Sequence, residues 1–435
     1  MSDPSPPGRA GAAAFHSRDF RRYQLARVMV IIGAEAQALA VAWQIYLITH
    51  RAIDLGYSGL ALFLPGLLFM LPSGHVADRF DRRHVILVCY SVQVFCTTAL
   101  FLFAFHHIQR ILPIYAVLFL IGSGRAFSGP ASSALIPHLV PEEHFVNAVT
   151  WGATIFQIAI ISGPALGGLL FTLPLHDSIA GAPIVYLFTL VTLAWFLVLV
   201  GSLSVRPGRM EHKQFSMNVI LAGFRYVRRT SVLFGSISLD LFAVLLGGAV
   251  ALMPIFAEDI LHAGARGLGL LRAAPAAGAL VVSLYLAWRP IQRRAGMLMF
   301  VCVAIFGVAT ILFGLSRSMV WSMLALFVVG ASDMVSVVIR SSILQLATPP
   351  EMRGRVSAVN SLFLGGSNEL GEFESGLTAQ WWGAVRAVIY GGIGSLMITG
   401  LWAALFPELR KADKLTSESL LNAEAQQAAR EVRQM

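Results

Sequence analysis

Charge is scarce in this sequence, and lysine is scarcer still. Charged residues make up 13% of the 435 positions and hydrophobic residues 57%, and the mean hydropathy is +0.72. A soluble protein of this length needs far more polar surface. None of the three lysines, Lys213, Lys411 and Lys414, follows a glycine, which excludes the phosphate-binding loop of P-loop ATPases. The peptidase motif HExxH and the hydrolase motif GxSxG are also missing.

Cysteine and histidine are too sparse to form a metal or disulfide framework. Cys89, Cys96 and Cys302 lie inside apolar runs and form no CxxC pair, so neither disulfides nor a zinc site is expected. None of the 11 histidines stands in the middle of an apolar run, and none shows ligand spacing. We therefore expect no metal and no cofactor. We also expect no cleavable signal peptide, because the first 24 residues lack a suitable apolar core.

Long apolar runs dominate the rest of the sequence. Each is about 20 residues long, enough for a helix to cross a bilayer, and a helix satisfies its own backbone polar groups in lipid. The sequence therefore predicts an all-α integral membrane protein with twelve transmembrane helices. The predicted spans are 26–49, 56–77, 85–105, 111–136, 145–172, 182–204, 232–256, 268–288, 296–315, 319–347, 356–382 and 385–406.

The basic residues lie mainly on one side of these spans. Of the 32 lysines and arginines, 23 lie in the termini and the loops of one side, 5 lie on the opposite side and 4 lie within spans. The positive-inside rule then places both termini in the cytoplasm. Topology accounts for the net charge of +9, so no nucleic-acid partner is expected.

The longest break between spans divides them six and six. The expected regions are a cytoplasmic N-terminus (1–25), a first six-helix bundle (26–204), a cytoplasmic linker (205–231), a second bundle (232–406) and a cytoplasmic tail (407–435). Within the linker, residues 216–229 have the pattern of an amphipathic helix that lies on the membrane surface.

The two halves of the chain repeat one another. Residues 132–142, SSALIPHLVPE, match residues 341–351, SSILQLATPPE, at a shift of 209 residues. The same shift maps Gly167 onto Gly376, the fourth span onto the tenth and the fifth onto the eleventh. Two six-helix pseudo-repeats joined by a basic linker are the design of a transporter whose halves rock around a central site.

The loop after the second span, SGHVADRFDRRH (73–84), concentrates opposite charges between apolar runs. This loop and the repeat give the chain its resemblance to the major facilitator superfamily of transporters. The residues that match the superfamily signature GxxxDRxGRR are Gly74, Asp78, Arg79, Arg82 and Arg83, and Asp81 stands where the signature has glycine. The resemblance implies a cytoplasmic latch between the halves. A role in membrane topology alone is the alternative.

Other phrases are similar to the subfamily of the enterobactin exporter and related efflux proteins. They are AWQIY (42–46), ADRFDRR (77–83), LRAAPAAGAL (271–280), PPEMRGRVSAVNS (349–361) and SNELGEF (367–373).

Two spans carry further superfamily motifs. In the fifth span, Gly163, Pro164, Gly167 and Gly168 match the GPxxGG part of the antiporter signature. This match implies export, and a kinked packing helix is the alternative. In the fourth span, Arg125 resembles the arginine of RxxQG that the superfamily links to proton coupling, although serine replaces the glutamine.

Ionisable residues inside spans are the remaining candidates for function. Each costs about 2.5–3.5 kcal/mol near the bilayer centre, so such residues usually face a substrate or proton path. Structural ion pairs and interfacial positions are the alternatives. Asp240 and Glu35 are the leading proton carriers, and Asp240 has Arg272 and Arg340 as possible partners. The full set is Glu35, Arg125, Asp240, Arg272, Asp333, Arg340, Glu369, Glu372 and Glu374.

These observations predict a proton-coupled exporter of a siderophore or other amphiphilic small molecule, acting by alternating access. A multidrug efflux pump and a lysophospholipid flippase of the same fold are the alternatives, while a membrane enzyme or a channel is disfavoured. The expected partners are the small-molecule substrate, protons and membrane lipids. The protein is expected to be a monomer in the bacterial inner membrane.

Overall fold

The computed structural model describes residues 14–173, 181–204, 217–289, 291, 293–349 and 352–411, and no strand occurs among them. Apolar runs set the helices, and short polar or Pro/Gly-containing loops separate them. The helices are α1 (Arg18–Thr49), α2 (Ala52–Leu68), α3 (Met70–Arg79), α4 (Arg82–Phe105), α5 (Leu112–Leu135), α6 (Phe145–Leu170), α7 (Ala182–Gly201), α8 (Met217–Arg229), α9 (Ser231–Leu246), α10 (Met253–Ile255), α11 (Gly264–Trp288), α12 (Ala295–Leu315), α13 (Met319–Leu346), α14 (Arg353–Trp382), α15 (Ala384–Leu405) and α16 (Pro407–Lys411).

Ten helical segments in the described part of the chain are long and apolar enough to cross a membrane. The protein is therefore a multi-pass membrane protein with the predicted all-α fold. Two of the twelve predicted spans are not among these ten segments. The second is divided into α2 and α3 at Phe69, and the eleventh, α14, carries three glutamates along its 30 residues.

The predicted seventh span, 232–256, has an irregular second half. Helix α9 ends at Gly247, and the chain continues through a 3₁₀ turn (Ala249–Leu252), α10 and a π-helical turn (Phe256–Ile260). A Cβ at Gly248 would lie 3.0 Å from the Ser375 hydroxyl and 3.1 Å from a carbonyl oxygen of α14. Glycine at this position therefore permits the close approach of α14 where the helix breaks.

The chain forms two compact units whose limits differ from a single cut at the linker. Unit 1 contains residues 1–50, 61–215 and 265–273, and unit 2 contains 51–60, 216–264 and 274–435. Residues 51–60, from the first half of the sequence, thus belong to unit 2, and residues 265–273, from the second half, belong to unit 1. Parts of three predicted regions lie outside the described residues: residues 1–13 of the N-terminus, 205–216 of the linker and 412–435 of the tail. Helix α8 occupies the described part of the linker.

Helices within each unit approach closely where small residues meet. In unit 2, a Cβ at Gly330 on α13 would overlap the backbone of Pro275 on α11, whose Cα lies 2.6 Å from that position. In unit 1, a Cβ at Gly167 on α6 would lie 2.9 Å from the Cα of Ala36 on α1. Such contacts bring backbones together without a hydrophobic driving force, as expected in lipid.

We predict that Gly330→Ala destabilises the protein by about 1–3 kcal/mol, because the added methyl group overlaps Pro275. Gly366→Ala on α14 is the matched control, since no atom lies within 4 Å of its Cβ position. That change should leave stability unchanged or raise it by about 0.5–1 kcal/mol, since alanine favours a helix over glycine. Thermal unfolding in detergent measures both variants, and equal melting temperatures would contradict the predicted overlap.

Candidate transport site

A buried ion pair joins α9 and α13 in unit 2. The carboxylate of Asp240 contacts the guanidinium of Arg340, and the two side chains are 5% and 3% exposed. Asp240 lies nine residues after the start of α9, about 14 Å along the helix axis. Two charges at this depth are tolerated because each neutralises the other, whereas either one alone would be left uncompensated.

The pairing settles one of the alternatives left open by the sequence. Of the two possible partners of Asp240, Arg272 and Arg340, the one in contact is Arg340 on another helix. Asp333 is only partly buried. Arg272 belongs to the segment of α11 that packs in unit 1, and its buried Nε atom has no hydrogen-bond partner among the described residues.

Two glutamates on α14 face the same space in unit 2. A Cβ at Gly59 on α2 would lie 3.0 Å from the Oε2 atom of Glu372 and 3.4 Å from the Oε2 atom of Glu369. The three-residue spacing puts both side chains on one helical face, and the missing side chain of Gly59 leaves room for them.

Glu35 in unit 1 lies directly against the antiporter-like motif of α6. A Cβ at Gly163 would contact the Cβ of Glu35 and would lie 3.0 Å from the carbonyl oxygen of Ile32. Further along the same face, the Cα of Gly269 lies 2.9 Å from the Cβ position of Gly168. The GPxxGG motif therefore lets α6 approach α1 and the first part of α11 closely, with a carboxylate at the first contact.

The charged loop before α4 makes its described contacts within unit 1. Asp81 caps α4 by accepting a hydrogen bond of 2.9 Å from the backbone N–H of Arg83, which explains an acidic residue where the signature has glycine. The Arg83 guanidinium donates to the carbonyl oxygens of Leu203, at 2.9 Å, and of Gly201. A cation at the end of α7 interacts favourably with the helix dipole.

The remaining residues of the loop signature make fewer described contacts than Asp81 and Arg83. Arg82 lies 2.8 Å from the ring of His138, whereas Arg79 is exposed and Gly74 is half-buried. The side chain of Asp78 lies outside the part of the chain that the structure describes. The latch between the halves therefore stays a prediction.

A polar cluster near the start of α1 was not identified from the sequence as a site. Both side-chain polar atoms of Gln24 are buried and lack a hydrogen-bond partner among the described residues. One turn on, the Arg27 guanidinium lies over the ring of Phe156, 5.8 Å from its centroid. The signal in the sequence was Arg27 itself, one of only four basic residues inside spans.

Arg125 lies near the polar cluster at the start of α1. It forms no ion pair with a carboxylate among the described residues. It is exposed on α5 and lies close enough to Tyr90 on α4 to act electrostatically on its hydroxyl, as does Arg27. Tyr23 lies close to Ser132. The predicted candidates thus fall into separate places: an ion pair, a glutamate pair, Glu35 at α6, and Arg125 in a basic, aromatic cluster.

Among the described residues, no group of three or more His, Cys, Asp or Glu side chains is arranged to hold a metal.

Many apolar helices, buried charges within them and a repeated helix pattern define a transporter of the major facilitator type. More narrowly, the chain belongs to the transmembrane secretion effector family, whose model matches residues 9–435.

Similar proteins support this assignment. The Enterobactin exporter EntS of Shigella boydii serotype 18 is 27% identical over 384 residues, which cover 87% of this chain and 86% of that protein. The protein of the same name from Citrobacter koseri is 28% identical over 385 residues, with the same coverage of both chains.

Solved structures share the fold at lower identity. A bacterial homologue of the iron transporter ferroportin has a TM-score of 0.67 and 17% identity, and the match covers 90% of this chain and 98% of that one. A POT family transporter has a TM-score of 0.69 and 14% identity, with 90% and 97% covered. At these identities the likeness shows the fold alone.

We predict that Asp240→Asn and Arg340→Met each destabilise the protein by about 3–5 kcal/mol, because each leaves one buried charge without its partner. The double variant should cost much less than the sum of the two. A double-mutant cycle on the free energies of unfolding measures this coupling. If the double variant costs as much as the two single variants together, the two residues do not act as a pair.

Proposed function

We propose that the protein is a proton-coupled exporter of a siderophore-like or other amphiphilic small molecule. It works by alternating access in the bacterial inner membrane, with both termini in the cytoplasm. The observation that carries the coupling is the buried Asp240–Arg340 pair. The names of the similar proteins support the direction and the class of substrate, and the basic residues on one side support the topology.

The ion pair is suited to load and release a proton. The contact with Arg340 gives the Asp240 carboxylate a counter-charge. If the helices separate during the cycle, the buried carboxylate loses its counter-charge and takes up a proton, because a lone charge at this depth is costly. Asp240 therefore either binds a proton or contacts Arg340. Protonation of this carboxylate is in this way linked to the conformational change.

The glutamate pair on α14 is a second place for a proton. Glu369 and Glu372 face the space beside Gly59, and a carboxylate inside a span is a group that can carry a proton. Glu35 lies at the contact between α1 and α6, where a change in its charge would act on the packing of the motif that resembles the antiporter signature. These two sites would set how many protons move in each cycle.

We predict that inverted membrane vesicles containing the protein take up a siderophore when a pH gradient is imposed, and that an uncoupler abolishes the uptake. Asp240→Asn should abolish gradient-driven uptake even by the folded fraction of the variant, as measured by its thermal unfolding, because the side chain can no longer exchange a proton. Asp259→Asn is the matched control. This exposed carboxylate lies near the C-terminal end of the span Ser231–Ile260, which also contains Asp240.

A panel of siderophores, dyes and a labelled lysophospholipid separates the alternatives in the same vesicles. Uptake of many unrelated dyes would indicate a multidrug pump, and movement of the lysophospholipid alone would indicate a flippase. Uptake that persists without a gradient but requires ATP would contradict proton coupling.

A further inference from the structure

Two polar side chains of α1 converge on one point in unit 1. A Cβ at Gly152 on α6 would lie 3.2 Å from the Nη1 atom of Arg27 and 3.3 Å from the Nε2 atom of Gln24. Both atoms are hydrogen-bond donors. Glycine at position 152 thus leaves a small space into which a guanidinium and an amide both point.

The amide of Gln24 is unusual for a buried group. Gln24 is 2% exposed, yet neither its oxygen nor its nitrogen has a hydrogen-bond partner within the described residues. Buried polar groups are nearly always paired, so both polar atoms of this amide are open to a hydrogen-bonding partner. The space beside Gly152 is the place from which such a partner would reach it.

The charge around this space is positive. Arg27 and Arg125 both act electrostatically on Tyr90, and neither forms an ion pair with any carboxylate in the described ranges. On α1, Glu35 is eight residues beyond Arg27, about 12 Å along the axis. Two arginines without counter-charges inside a membrane protein favour an anion.

Aromatic rings border the same space. Arg27 lies over Phe156, and Tyr90 packs on Phe196 with ring centroids 4.0 Å apart. Tyr23, 2% exposed, brings a second phenol to the cluster. Rings and guanidinium groups together bind flat, delocalised anions better than compact ones, because an aromatic ligand can stack while its acidic group accepts hydrogen bonds.

We propose that Gln24, Arg27, Tyr90 and Arg125 form a binding subsite for the anionic aromatic part of the exported compound. Arg27 and Gln24 donate to the acidic group beside Gly152, Arg125 supplies a second positive charge, and Tyr90 borders the ring. The subsite lies where α1 enters the membrane from its expected cytoplasmic end, so it would meet a compound at the start of export. This inference deepens the proposed function and rests on it.

The test uses the full chain in lipid nanodiscs and two probes that differ in charge, 2-hydroxybenzoate and its neutral analogue 2-hydroxybenzamide. Calorimetric titration should show that the wild type binds the acid at least about tenfold more tightly than the amide, as expected for a charged hydrogen bond. Arg27→Met and Gln24→Leu should each remove most of this preference. Arg27→Lys should keep part of it, since lysine retains the charge but not the planar donor group.

Arg317→Met is the control, because this exposed arginine lies in unit 2 and bonds to a backbone oxygen of its own loop; it should keep the full preference. Gly152→Ala adds one methyl group at the proposed site and should weaken binding of the acid even if Arg27→Met fails to fold. Equal binding of both probes by the wild type, or an unchanged preference in folded Arg27→Met or Gly152→Ala, would overturn the subsite.

Vesicle export separates this inference from the function on which it rests. Export by the wild type without any preference for the acid removes the subsite and leaves the exporter. A preference for the acid that depends on Arg27, without export of any compound, keeps the subsite and removes the exporter.

Discussion

The cost of burying charge constrains this protein more than any other physical effect. In lipid, packing and backbone hydrogen bonds hold the helices together, and an isolated charge inside a span costs several kcal/mol. The Asp240–Arg340 pair meets this constraint by mutual neutralisation between α9 and α13. Elsewhere a carboxylate lies at a small-residue contact, as Glu35 does against Gly163. At the contact between α1 and α6, a small residue and a buried charge thus share one helix contact.

The proposed mechanism depends on the Asp240–Arg340 pair. A pair that is stable only while two helices touch has two states, and a proton can replace the arginine when the helices part. The irregular segment after α9 lies on the same span as Asp240, with Gly248 against α14. A broken helix can change its backbone torsions more easily than a continuous one. The proposed switch and the irregular segment are thus close in the chain.

Hydropathy predicted the helices well because span length is fixed by the bilayer and leaves a clear pattern. The site was predicted only in part. The sequence named Arg340 as one of two possible partners of Asp240, but could not choose, since an apolar helix shows no preferred face before its neighbours are known. The convergence of Gln24 and Arg27 at Gly152 was not foreseen for the same reason. Neither the cap formed by Asp81 nor the hydrogen bonds from Arg83 to the end of α7 follows from a signature that records residue types and not their partners.

Proton movement measured together with substrate movement tests the central claim most directly. Proteoliposomes loaded with the exported compound and a pH-sensitive dye would report both fluxes in one experiment. The account predicts that outward substrate flux is matched by proton movement in the opposite direction, and that Asp240→Asn removes the proton movement. Substrate flux by the wild type without any accompanying proton movement would contradict it.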